Sequence, residues 1–157
     1  MTTETPEDRL AALGFSLPKV PSPIANFVNA VRVGSLLFLS GQGPLTADGR
    51  LMTGKVGRTV SAAEAYDHAR LTGLNLLAVM AEYAGGLARI KRVVKLFGMV
   101  NAAEDFRDHP KVINGCSDLL CAVLGDAGMH ARSAVGMGSL PNGITVEIEA
   151  IVEIADI

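Results

Sequence analysis

The chain has 157 residues, of which 49% are hydrophobic and only 19% charged, with a formal net charge of −2. This length fits one domain with a sizeable core, and the composition excludes a disordered or low-complexity chain. The charge balance lacks the basic excess of a usual nucleic-acid footprint, and no apolar run approaches the ~18 residues of a membrane span.

In chain order, the opening segment predicts a short helix over residues 5–13, ending at Gly14. Pro18, Pro21 and Pro23 then make an extended linker. Residues 1–20 therefore read as an N-terminal extension to a single domain over 21–157. This N-terminus shows no positively charged and apolar leader pattern, which places the protein in the cytoplasm as an expectation. Phe27 to Val33 alternates as a strand, Gly34 and Ser35 make a two-residue turn, and Leu36 to Ser40 forms the returning strand. Gly41, Gly43, Pro44 and the Asp48-Gly49 turn open a loop that runs to about Val60.

Ser61 and Glu64 are spaced as a capping box. Ala65, Ala69, Leu76, Leu77 and Met80 follow at helical intervals, with Gly85 and Gly86 as the stop. Arg89 to Val100 reads as a long strand and Asp105 to about Leu124 as a second long helix. Cys116 and Cys121 on that helix lie five residues apart, about 140° around the axis, so a mutual disulfide is unfavourable and two buried thiols are expected. Ala131–Met137 and Ile144–Ile154 close the chain as strands. The order β-β-α-β-α-β-β predicts an α+β layer with the helices on one sheet face.

The last strand alternates cleanly: Val146, Ile148, Ala150, Val152 and Ile154 face the helices, and Glu147, Glu149 and Glu153 face away. In the strand before it, Arg132 shares a face with Ala134, Gly136 and Gly138, a long cation beside a row of small residues. A guanidinium is a planar fork of donors suited to bidentate capture of a carboxylate. Two readings stay open on these residues alone: a site for an anion, or a structural ion pair with Glu147 or Glu149. His68, mid-helix, reads as a surface or partly buried residue. His109 and His130 have no metal-ligand spacing, and the Gly136 to Ser139 stretch has no helix behind it to make a dinucleotide site. With five phenylalanines and no tryptophan, the chain offers little for base stacking.

The block Ala131-Arg132-Ser133-Ala134-Val135, Leu140-Pro141 and Val146 to Ile151 resembles the C-terminal pattern of the reactive intermediate deaminase family (RidA, or YjgF), some of whose members are labelled L-PSP endoribonucleases. Ser40 to Pro44 and Asn114 match further blocks in order, so the resemblance covers about residues 20–155. It implies a chorismate-mutase-like fold, a six-stranded mixed sheet with two helices on one face, assembled as a homotrimer around a central barrel. It also implies hydrolysis of small 2-imino acids to 2-keto acids and ammonia in clefts between subunits, with neither metal nor organic cofactor. Carried over by position, Arg132 holds the substrate carboxylate and Glu147 directs the attacking water. Gly41 and Ala134 contribute backbone groups, and Asn114 and Phe27 line the pocket. The partners implied are a small-molecule substrate and further copies of the chain, with no nucleic acid or membrane. A trimer that binds a small carboxylate without turnover is the alternative, and an endoribonuclease the third reading. Under the family reading, the sheet face away from the helices carries Arg132, Glu147 and the small residues, and assembly buries it. That is the outlet for the surplus of apolar residues.

Overall fold

The computed structural model describes residues 4–156; residues 1–3 of the N-terminal extension and residue 157 lie outside it. Three α-helices, α1 (Pro6–Ala12), α2 (Ala62–Ala84) and α3 (His109–Leu124), accompany five strands, β1 (Ala30–Val33), β2 (Leu36–Gln42), β3 (Ile90–Asn101), β4 (Ala131–Met137) and β5 (Val146–Ile154). The strands form one mixed sheet in the order β1-β2-β5-β3-β4, with only β3 and β4 parallel.

The sheet has five strands, not the six implied by the resemblance. Residues 43–60 make isolated bridges instead, Leu45 to Leu51, Thr53 to Ile144 and Val56 to both Val60 and Ala102. The reason is local: Pro44 cannot donate to a ladder, and Gly49, Gly54 and Gly57 take φ of 87°, 133° and 92°, which break an extended run. The first strand is also shorter than expected, beginning at Ala30. The Asn29 side chain turns inward, with Nδ2 donating to the Pro21 carbonyl at 2.7 Å, so Phe27 falls in a bend before the strand.

The capping box of α2 is formed: Glu64 N donates to Ser61 Oγ at 3.1 Å and Ser61 N to Glu64 Oε2 at 2.8 Å. Helix α3 starts four residues later than predicted, at His109, with Pro110 in its first turn. A proline there lacks only an amide that the helix leaves unpaired anyway. Both long helices cover the sheet face that carries Val146, Ile148, Ala150, Val152 and Ile154, which are 0–3% exposed. Each fully buried Val or Ile stabilises the fold by about 1.5–3 kcal/mol. The helices cross where Gly115 meets α2; a Cβ there would stand 2.0 Å from the Tyr66 carbonyl oxygen, so only glycine allows this approach. That close crossing settles the rotation of α3 and hence where its neighbour Asn114 points.

Helix α1 packs by Leu10, which is 3% exposed, and Arg9 Nε donates to the Val123 carbonyl at 2.7 Å. Only Cys116 of the two cysteines is buried; Cys121 is partly exposed near the C-terminal end of α3, beside Met129. Burial pushes the Cys116 thiol up to about 12. No helix among the described residues is long and apolar enough to cross a membrane.

Candidate functional site

Two separate clusters hold the residues singled out in the sequence. The first is a pocket of about 400 Å³ at the end of β2 and β5, floored by Gly41, Gln42 and Glu147 and walled by Pro23, Phe27 and Pro141. The proline-rich linker and the Leu140–Ile144 connection, which both lack regular pairing, supply its rim. Glu147 is the pocket's ionisable side chain. It is half-buried, and desolvation, with a smaller push from the like charge of Glu149, raises its carboxyl above the usual carboxylate range. Its Oε2 would lie 2.8 Å from a Cβ built on Gly41, and Cγ and Cδ would lie 3.0 Å from it. Glu147 therefore lies flat across the β2 backbone in space that exists because residue 41 has no side chain. Phe27 remains 44% exposed on the pocket wall, presenting an aromatic ring with no polar handle.

The second cluster surrounds Arg132 on β4, the outermost strand of the sheet. Its Nη1 donates to Asn114 Oδ1 at 2.8 Å and to Ser117 Oγ at 3.1 Å, and Nη2 leans toward the Pro110 carbonyl at 3.4 Å. Asn114 and Ser117 are three residues apart on α3 and so share one helix face above the strand. His130, just before β4, bonds Ser117 Oγ through Nε2 at 2.9 Å and the Gly128 carbonyl through Nδ1 at 2.6 Å. Asn114 thus reaches the arginine rather than the Glu147 pocket. Ala134 lies opposite Gly98, two residues along β4 on the same face as Arg132, and packs against the core.

This arrangement corrects the expectation that Arg132 and Glu147 share the face away from the helices. Leu96, paired with Arg132, is buried under the helices, whereas Met99, paired with Glu147, points to the opposite side. Directly paired residues lie on the same side of a sheet. Alternation along each strand was read correctly; what it cannot supply is which of two faces of one strand matches which of another. Glu147 and Arg132 stand on strands separated by β3 and are offset by the span from Leu96 to Met99. Their Cα atoms are therefore about 14 Å apart by strand geometry. Within one chain they belong to different sites. Nor does Arg132 form an ion pair with Glu147 or Glu149; the three salt bridges among the described residues join other side chains.

Far from the helices, the sheet leaves Val31, Val33, Phe38 and Val135 between 36% and 61% exposed, beside Glu149 and Lys95. His68 on α2 is partly buried and pairs with Thr145 Oγ1 at 2.9 Å, and desolvation lowers its basicity. No group of three or more His, Cys, Asp or Glu able to hold a metal occurs among the described residues. Sequence reasoning missed Ser117 and His130. The three-residue spacing from Asn114 to Ser117 was a usable signal for the first; Gly125 and Gly128 mark the turn that brings His130 against α3, but not the contact it makes there.

Residues 7–147 match the family described as "YjgF/chorismate_mutase-like, putative endoribonuclease". The chain belongs to this family. Its fold is that of a protein of unknown function from Agrobacterium tumefaciens, 47% identical, with a TM-score of 0.88 over 96% of this chain and 94% of that one. Protein TCP17 of Trypanosoma cruzi is 41% identical over 92% of this chain and 91% of its own length. A 2-iminobutanoate/2-iminopropanoate deaminase of Dermatophagoides farinae is 31% identical over 88% of this chain and 94% of its own.

Proposed function

We propose that the protein hydrolyses small reactive 2-imino acids to 2-keto acids and ammonia, at sites assembled from two copies of the chain. The observation that carries this reading is Glu147: a half-buried carboxylate of raised basicity, laid over Gly41 in an otherwise uncharged pocket large enough for a small molecule. Perturbed carboxylates in pockets are the usual acid–base candidates. The name of the Dermatophagoides farinae relative supports the substrate class.

In this reading Glu147 takes a proton from water as the oxygen attacks the C=N carbon. That proton passes to nitrogen, and the hydroxyl proton of the tetrahedral adduct follows it by way of Glu147 as the C–N bond breaks, so that ammonia leaves and the carbonyl forms. Arg132 binds the substrate carboxylate. Because Arg132 and Glu147 of one chain lie on opposite sheet faces, the β4 edge of a neighbouring copy brings the guanidinium to the pocket. The exposed valines and Phe38 on the sheet face away from the helices give that neighbour an apolar surface to cover, in a homotrimer. A charge-assisted contact to the carboxylate is worth roughly 1.5–3 kcal/mol.

The test generates 2-iminobutanoate from threonine with a dehydratase and follows 2-oxobutanoate release. Acceleration by the wild type that disappears in Arg132→Ala is expected. No acceleration, or an undiminished rate in the variant, overturns the reading. Binding of 2-oxobutanoate without turnover of any imine instead supports a carboxylate-binding protein, a reading favoured by Phe27, which brings no hydroxyl to the pocket.

A further inference from the structure

We infer that Ser117 and His130 are positioning residues for Arg132: they lock one edge of its guanidinium so that the other edge is presented to a carboxylate. This rests on the reading of Arg132 as the carboxylate-binding group and adds the two side chains that aim it.

The hydrogen bonds run in one direction. Gly128 offers a carbonyl, which only accepts, so His130 Nδ1, 2.6 Å away, carries the proton. In the neutral ring Nε2 is then an acceptor, and the Ser117 hydroxyl donates to it at 2.9 Å. With its proton committed, Ser117 Oγ turns a lone pair toward Arg132 Nη1 at 3.1 Å, and Asn114 Oδ1 takes the second Nη1 proton at 2.8 Å. Both protons of Nη1 are thereby used. Among the described residues Nε makes no hydrogen bond, and Nη2 has only the long contact to Pro110 at 3.4 Å. The Nε–Nη2 edge is the one left for a bidentate carboxylate.

The anchoring comes from separate parts of the chain. Ser117 and Asn114 stand on α3, Gly128 ends the turn after it, and His130 leads into β4. Without Ser117, the imidazole loses its link to the arginine. Without His130, the hydroxyl proton is free to rotate and compete with the lone pair that Nη1 uses. An arginine on an outer strand otherwise has several rotamers of similar energy, and binding must then bear the entropy of selecting one.

The test has one arm without ligand and one with it. The ¹⁵N-edited NMR spectrum of the side-chain guanidinium groups reports rotation about the Nε–Cζ bond, with the Arg132 signals assigned by their loss in Arg132→Lys. Slow rotation is expected in the wild type, faster rotation in Ser117→Ala and His130→Phe, and slow rotation again in Ser117→Thr, which keeps the hydroxyl. Calorimetric titration with 2-oxobutanoate should show affinity about tenfold weaker in Ser117→Ala and His130→Phe, recovered in Ser117→Thr. Unchanged rotation in both Ser117→Ala and His130→Phe overturns the proposal, as does wild-type affinity in Ser117→Ala when Arg132→Ala no longer binds. Undiminished binding by Arg132→Ala overturns the carboxylate reading and the proposal with it, and is distinguished from failure of the relay because the NMR arm uses no ligand.

Discussion

At the β4 edge Arg132 is surrounded by acceptors, with Asn114, Ser117 and Pro110 all turned toward its guanidinium. At the β2–β5 end Glu147 has no hydrogen bond or ion pair among the described residues, and the apolar pocket raises its pKa. Under the proposed function, the difference separates two kinds of work. A group that must recognise a fixed charge benefits from being held before the ligand arrives, since each side chain frozen on binding costs affinity. A group that must exchange a proton near neutral pH benefits from an environment that disfavours its charged form. The structure thus gives geometry to the cation and basicity to the carboxylate.

The sharpest way to break this contrast is at Glu147. Glu147→Gln keeps the shape over Gly41 but removes the proton acceptor, and kcat should fall by about 10²–10⁴-fold with the affinity for 2-oxobutanoate little changed; steady-state kinetics alongside calorimetry separates the two. Arg132→Lys keeps the charge and loses both the fork and the two Nη1 hydrogen bonds. It should weaken binding by about tenfold or more, read as a rise in KM with a smaller change in kcat. A similar rise in KM from Glu147→Gln would erase the division of labour.

Gly41→Ala probes the support beneath the carboxylate. Its Cβ would meet Glu147 Oε2 at 2.8 Å, so the side chain must swing away. The expected loss is in kcat, on the order of tenfold, since misplacing a reacting group is costly even when the group survives. A crystal structure of the variant with the carboxylate unmoved would contradict this.

The smallest effects are in pH dependence. A general base with a raised pKa must be deprotonated to act, so the rate should fall as pH drops through a value above the ordinary carboxylate range. Stability runs the other way. Folding favours protonated Glu147, so its stabilising contribution is present below the unfolded-state pKa and is lost as pH rises through the higher folded value. Glu147→Gln should therefore melt slightly above the wild type at about pH 7, with the gap closing toward about pH 4. Equal melting temperatures at both would show that the carboxylate is well solvated.

Much of the fold was legible because its signals are local. The Ser61–Glu64 capping box, the α2 stripe ending at Gly85 and the alternation of β5 each depend on neighbours within a few residues, and each appears where the spacing puts it. Phe27 was misplaced in a strand because its apolar context matched one; the inward turn of Asn29 toward Pro21, a contact across the linker, decided otherwise. Arg132, Glu147 and Gly41 were each identifiable as residues of interest. Their grouping was not, because a period of two assigns faces within a strand and says nothing about which strand lies beside it.

By itself the sequence determined the number and kind of the main elements, the family and the identity of the charged residues, since these follow from short-range periodicity, capping and motif spacing. The tertiary structure alone decided that Arg132 and Glu147 occupy opposite faces about 14 Å apart, and that Ser117 and His130 stand behind the guanidinium. Those outcomes depend on strand order, the Gly115 helix crossing and the path of the linker. Each is a long-range choice made by packing, which no local pattern encodes.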